Sequence, residues 1–271
     1  MDIISDDRFD VKGVKKFNNR NLRRATRLWI DELRPGSNPG PLHFHFRARG
    51  KDIVYAYIRK NAASAFKRML FDLVGKSSTS PDGNLLGILL QSSRANFHNH
   101  FLRSDKTMFV HRDPVRRMVS LYKDKFIRAR GAENIHADLK EKTNLNPSTV
   151  TFEEFVFKYL PHGTDWHLKP QRSHLFPGVY TDAIPIEHLT EAMAGILPSA
   201  LAEKHFGEKT NATGGDIQHL PDAAKIGAHE LRQDYKRNRS FPSRESFAPT
   251  GGAVHGSIMQ KYEVDNIFVR S

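Results

Sequence analysis

Apolar and polar positions alternate over two short stretches of the chain and recur at helical spacing over several longer ones. Residues 43–49 alternate like a strand, and Gly50-Lys51 turns the chain into a second strand-like run, Asp52–Ile58. Phe66, Met69, Leu70, Leu73 and Val74 then share one helical face. A second strand–loop–helix unit follows. Phe109-Val110-His111 reads as a buried strand, Arg112-Asp113-Pro114 as a loop, and Val115, Met118, Val119, Tyr122 and Phe126 as a helical apolar stripe. Pro114 suits the first helical position, where a missing N–H costs nothing. An amphipathic helix is expected from Asn21 to Leu33, followed by a Pro/Gly-rich loop from Arg34 to Pro41. Thr151 and Glu154 spell a capping box for a helix running through Leu160. Residues 128–149 and 207–256 are polar and weakly periodic, which predicts long loops with room for short helices.

The alternation of strands and helices predicts an α/β class with three layers around a central, mainly parallel sheet. The 271 residues fit one domain, because two loops of the same design are expected to share a sheet. Within it, 1–42 forms an N-terminal helix and loop, and 207–256 a variable region. Loops at the carboxyl ends of strands are where such sheets bind ligands. Arg59-Lys60-Asn61-Ala62-Ala63-Ser64 has no glycine and is not a Walker P-loop, yet it offers a Lys and a hydroxyl at a helix start. Arg112 offers a guanidinium beside the next helix start, which suits a phosphate. Two such units point to a ligand with two separated anionic groups.

Charge sharpens this picture. Lys+Arg number 42 against 30 Asp+Glu, a net +12, and residues 94–130 alone hold ten Lys/Arg and three Asp. A field focused there steers anions. No cysteine is present, so no disulfide forms, and a reducing compartment is expected. With no apolar leader and no run near the ~18 apolar residues of a span, the expectation is a cytoplasmic protein without an integral membrane segment. His98-Asn99-His100 spells the tripeptide of a metal-dependent nuclease. A strand and Arg-Asp-Pro follow it, where that family's site needs a helix with another histidine. His43-x-His45 has no further ligands nearby. Neither a metal nor a nucleic-acid partner is expected.

The two loops resemble those of sulfotransferases that use 3′-phosphoadenosine 5′-phosphosulfate (PAPS), and within them the chondroitin, dermatan and HNK-type carbohydrate sulfotransferases of family 2. That group carries Pro-Lys-x-Ala-x-Thr-x-Trp-Lys-Arg, and here the segment is Arg59-Lys60-Asn61-Ala62-Ala63-Ser64-Ala65-Phe66-Lys67-Arg68. Its second loop, Phe-Val-Arg-(Asp/Glu)-Pro-Phe-x-Arg-Leu-Val-Ser-Ala-Tyr-Arg-(Asp/Asn)-Lys-Phe, is matched by Phe109 to Phe126, with His111 as one extra residue before Arg112. Thr151-Phe152-Glu153-Glu154-Phe155, His167-Leu168-Lys169-Pro170, Tyr180 to Leu189 and Lys261 to Phe268 are similar to further motifs of the group. Where its lumenal members carry cysteines, this chain has Ala56, Ala63, Phe176 and Gly178, as in a soluble, bacterial relative.

The resemblance implies a P-loop-NTPase-like sulfotransferase fold and an enzyme that moves a sulfuryl group from PAPS to an acceptor hydroxyl, releasing 3′,5′-phosphoadenosine (PAP). It implies a carbohydrate acceptor. It also implies donor contacts from Lys60, Ala63 and Ser64 at the 5′ end and from Arg112 and Ser120 at the 3′ phosphate. Lys60 would meet the leaving oxygen. For the general base His100 comes first, since the group has an Asn-His pair at that spacing before Arg112; His98, His167 and Glu187 follow. Lys67 and Arg68 read as outer or surface residues, and Arg116, on the Ser120 face of its helix at i,i+4, either assists Ser120 or faces solvent. The competing class is a non-catalytic module that binds acidic or sulfated glycans.

Overall fold

The computed structural model describes residues 19–32, 41–75, 85–178, 180–207, 217–218 and 220–268. In chain order these form α1 (Asn19–Glu32), β1 (His43–Ala48), β2 (Lys51–Ala56), α2 (Ala63–Leu73), α3 (Leu85–Ser92), β3 (Arg94–Ala95), β4 (Lys106–His111), α4 (Pro114–Tyr122), α5 (Glu133–Thr143) and α6 (Phe152–Glu154). There follow β5 (Asp182–Pro185), α7 (Leu189–Ile196), α8 (Ser199–Phe206), β6 (Ile217–Gln218), α9 (Ala228–Asn238), β7 (Phe241–Pro242), α10 (Arg244–Phe247) and α11 (Ala253–Lys261). They sort into two compact units. The first runs to His111 and resumes at Gln171; the second runs from Arg112 to Pro170 and resumes after residue 211.

The first unit is built on a five-stranded sheet of order β3-β1-β2-β4-β5. β4 is parallel to both β2 and β5, whereas β1 is antiparallel to β2 and β3. The sheet is therefore mixed, not mainly parallel. The cause is local: Arg49 and Gly50 close the β1–β2 hairpin with φ of 48° and 77°. Two positive-φ residues make the tight turn whose twist matches its strands, and so short a turn can only return antiparallel. Alternation then assigns the faces. Phe44, Phe46, Ile53, Tyr55, Tyr57, Met108, Val110 and Ile184 join one core with Phe66, Met69 and Leu70 of α2 and with side chains from α3, α7 and α8. The opposite face carries His43, His45, Val54, Ala56, Thr107 and Phe109. It is covered by rings from Phe101 in a π-helical turn (Phe97–Phe101), Phe176 and Tyr180.

The second unit gathers the apolar stripe of α4, the π-helical turn that continues it (Lys123–Ile127), α5, α6 and the helices after residue 220 around Tyr122, Phe126, Phe152 and Phe155. The capping box is present as expected. Thr151 Oγ1 accepts the Glu154 N–H at 3.1 Å, and Glu154 Oε2 accepts the Thr151 N–H at 3.2 Å. Two polar stretches expected as long loops with room for short helices hold eleven-residue helices, α5 and α9. Each buries only two side chains, Ile135 and Leu139 or Ala228 and Leu231, too few to print a period on the sequence. Leu73, expected on the buried face of α2, is 37 % exposed. Residues 33–40 and 208–216, read as loops, lie outside the described residues.

Candidate functional site

In the first unit, β2 runs on through buried Tyr57 and Ile58 into the loop Arg59–Ala62, and α2 starts at Ala63. The loop contains no glycine, yet φ is positive at Lys60 (71°) and at Ala62 (56°), with Asn61 between them on the ordinary side. Left-handed residues other than glycine cost about 1–2 kcal/mol each. Alternating left- and right-handed residues turn successive backbone N–H groups to one side and form a concavity that holds anions. Ala62 is the N-cap residue and gives α2 no side-chain cap, so the positive end of an eleven-residue helix is left for another acceptor. Ala63 and Ser64 are the first two helical residues, and Ser64 is exposed. Lys60 is half-buried. The conformational freedom that a P-loop draws from glycine is here forced onto Lys60 and Ala62.

Asn61 holds them there. Its side chain is 0 % exposed. Its Nδ2 donates to Val110 O at 2.8 Å and to Gln171 Oε1 at 2.5 Å, tying the loop to β4 and to the segment after Pro170. A small polar residue in a loop gave no hint of this in the sequence.

His100 lies in the π-helical turn, where Asn96 is the N-cap. Its Nδ1 is 3.0 Å from Asn96 Oδ1, and its ring centroid is 5.0 Å from that of His45. His45 Nε2 is in turn 3.4 Å from Asp52 Oδ1. Since His45 pairs with Val54, this group stands alongside the middle of β2, and Lys60 lies beyond that strand's end. The Asn96 N–H also reaches His100 Nδ1, at 3.3 Å, so the ring's tautomer decides whether Nδ1 donates to Asn96 Oδ1 or accepts from that N–H. His98 is on the same turn and half-buried. His43 shares a sheet face with His45 but is committed elsewhere. It donates Nδ1–H to Pro41 O (3.1 Å), accepts from the Tyr180 hydroxyl (2.6 Å) and stacks on Phe176. Burial pushes it down to about 3, so it stays neutral. His111, at the end of β4, is pushed down to about 4 by burial, against the opposing pull of Glu187, which is itself exposed. Among the described residues no group of three or more His, Cys, Asp or Glu could hold a metal ion.

In the second unit, Asp113 caps α4: its Oδ1 accepts the Arg116 N–H at 2.8 Å, and Pro114 takes the first helical position. The carboxylate already occupies this helix end. An anion at this loop would therefore be held by side chains, not by the helix terminus. Arg112 is half-buried at its entrance, Ser120 lies on the buried side of α4 at 8 % exposure, and Arg116 is exposed. The sequence reading passed over Arg117, which is 0 % exposed. Its Nη2 donates to His167 O (3.0 Å) and Lys169 O (2.8 Å), while the Tyr262 hydroxyl donates to Leu168 O at 2.8 Å. Burial weakens the hold on the Arg117 proton, and buried Tyr262 and Asp265 oppose that shift. The His167 motif is thus gripped through three successive carbonyls, and Asp165 binds the His167 ring at 2.6 Å. Arg117 fills the arginine position of the quoted second-loop motif, which was the available signal. Lys67 is half-buried and Arg68 exposed on α2.

A family model described as "Sulfotransferase family" matches residues 44–185, from the first strand of the sheet to the last. No match was found among curated proteins or among solved structures.

Proposed function

The chain belongs to the sulfotransferase family, and from that premise we propose that it transfers the sulfuryl group of PAPS to a carbohydrate hydroxyl. Membership makes it a transferase of sulfo groups. The donor, the acceptor class and the residue roles are our reading, as are a single catalytic domain of the P-loop-NTPase-like type and a cytoplasmic location. Among the described residues no helix is long and apolar enough to cross a membrane.

The observation that carries the reading is the start of α2. A loop of alternating φ sign that includes Lys60 leads directly into a helix terminus that Ala62 does not cap. That arrangement fits a phosphosulfate. Backbone N–H groups at Ala63 and Ser64, with the Ser64 hydroxyl, hold the 5′ phosphate. Lys60 faces the oxygen that leaves. Arg112 and Ser120 hold the 3′ phosphate. In the reaction the sulfur–oxygen bond to the phosphate breaks as a new one forms to the acceptor oxygen, nearly in line, and the acceptor's proton passes to His100 Nε2. Sulfuryl transfer, like phosphoryl transfer, asks the protein mainly to position reactants and stabilise charge. Lys60 meets the charge that develops on the bridging oxygen, where a fixed cation acts most strongly.

Calorimetric titration with PAP tests this. Arg112→Ala and Ser120→Ala should both weaken binding, the arginine change by tenfold or more, since a charge-assisted contact is worth about 1.5–3 kcal/mol. Unchanged affinity in both variants overturns the assignment of that loop. A wild-type protein that gains no thermal stability from micromolar PAP, yet gains it from sulfated glycans, is a glycan-binding module instead.

A further inference from the structure

Lys123 and Arg128, at the start of and just after the π-helical turn that continues α4, are placed on aromatic rings contributed by the region after residue 220. The Lys123 ammonium stands over Phe241 at 5.4 Å and Phe247 at 5.6 Å from their centroids. The Arg128 guanidinium stands over Phe241 at 4.9 Å and Tyr235 at 5.2 Å, and donates to the Tyr235 hydroxyl at 3.1 Å. Tyr235 and Phe241 are themselves stacked at 4.2 Å. The rings fix both cations in half-buried positions, and among the described residues neither has a carboxylate partner. Asp124, the nearest acid in sequence, is 3.8 Å from Lys125.

Burial, then the positive charge of Arg112, then that of Arg128 push Lys123 down to about 8. Lys123 also follows Ser120 by three residues, one turn along the same helix face. Lys123 and Arg128 sit on rigid aromatic seats, and a multiply charged anion bound beside Lys123 offsets the positive charges that act on it.

We propose that Lys123 is a third cationic ligand of the donor's 3′ phosphate, beside Arg112, and that it selects nucleotides carrying that phosphate as a dianion. This rests on the PAPS reading above. Arg128 acts through the cluster's field and is a positioning residue.

The test compares PAP with adenosine 5′-phosphate, which lacks the 3′ phosphate, by calorimetry at pH 8 in buffers of different ionisation enthalpy. Wild type should prefer PAP and take up roughly half a proton as the bound dianion restores the lysine's charge. Adenosine 5′-phosphate should cause no uptake. Lys123→Met keeps an apolar stem over the two phenylalanine rings. It should weaken PAP about tenfold, leave adenosine 5′-phosphate within twofold, and abolish the uptake. Lys123→Arg should keep the preference and lose the uptake, since a guanidinium does not titrate there. Equal loss for both nucleotides in Lys123→Met, no loss for either, or uptake that persists in that variant overturns the proposal. If Arg112→Ala still loses PAP selectively, the PAPS reading stands and only the role of Lys123 fails. If wild type shows no preference for PAP, the PAPS reading itself fails.

Discussion

Replacing Asn61 tests whether the anion loop is held in shape by a buried amide. Asn61 donates to Val110 O at 2.8 Å and to Gln171 Oε1 at 2.5 Å, inside a side chain that water does not reach. Asn61→Ala removes both donors and leaves two acceptors buried without them. Each abandoned acceptor costs about 1–3 kcal/mol, and some relaxation is inevitable, so a net loss of about 2–4 kcal/mol is expected. The strain at Lys60 and Ala62 adds a second consequence, because those backbone conformations persist only while their surroundings enforce them. The loop should relax, and PAP affinity should fall several-fold. Asn61→Asp is the sharper perturbation, since it turns a donor into a carboxylate facing two acceptors. Its loss should exceed that of the alanine variant. Thermal melting and PAP titration of both variants decide the matter. At about 2–4 °C per kcal/mol, Asn61→Ala should melt roughly 4–16 °C lower. Melting within 1 °C of wild type in both variants refutes the pin. Lower stability with unchanged PAP affinity refutes the link from the pin to the donor loop.

Three further outcomes are expected. Tyr55 is 0 % exposed and its hydroxyl has no hydrogen-bond partner among the described residues, so Tyr55→Phe should raise stability by about 1 kcal/mol in urea unfolding, and a loss of stability contradicts this. His43 and His111 are held down to about 3 and about 4, below the 6.5 of an exposed histidine. The unfolded chain therefore binds more protons between pH 6.5 and 4. Their contribution is complete above 6.5 and drains as pH falls, each approaching ~1.4 kcal/mol per pH unit. Urea midpoints at pH 7, 6 and 5 should fall in step, with a shallower fall in His111→Gln; a flat series refutes it. In steady-state kinetics Lys60→Ala should lower both PAPS affinity and kcat. His100→Ala should spare PAP affinity, cut kcat by roughly 10²–10⁴-fold and remove the acidic limb of the pH–rate profile. Turnover within a few-fold of wild type in His100→Ala passes the role to His98 or His167.

Much of the framework could be read from the chain because it is written in local signals. Pro114 and Asp113 mark the start of α4, Thr151 and Glu154 mark α6, and the alternation of Phe44, Phe46 and Ala48 against His43 and His45 gives β1 its two faces. α5 and α9 escaped because helices that bury two side chains each carry almost no period. The sheet's mixed character follows from two positive-φ residues at Arg49 and Gly50, of which only the glycine announces itself. The anion loop shows the same limit. Its lysine and serine are visible as chemistry, but the left-handed Ala62 and the buried hydrogen bonds of Asn61 depend on partners at Val110 and Gln171, far away in sequence. Arg117 stands at a motif position that the sequence displays, but its role is not legible there, because its acceptors are main-chain carbonyls, which no side-chain pattern reveals.

The most direct test of the account is transfer itself. The protein is incubated with PAPS and a panel of glycans, lipids and small hydroxylated metabolites, and PAP release and the sulfated product are quantified together by mass spectrometry. The account predicts one equivalent of PAP for each sulfate ester formed, on a carbohydrate hydroxyl, and no ester in Lys60→Ala beyond a small residue of the wild-type rate. PAPS that is neither bound nor consumed, or ester formation that is unchanged in Lys60→Ala, contradicts it.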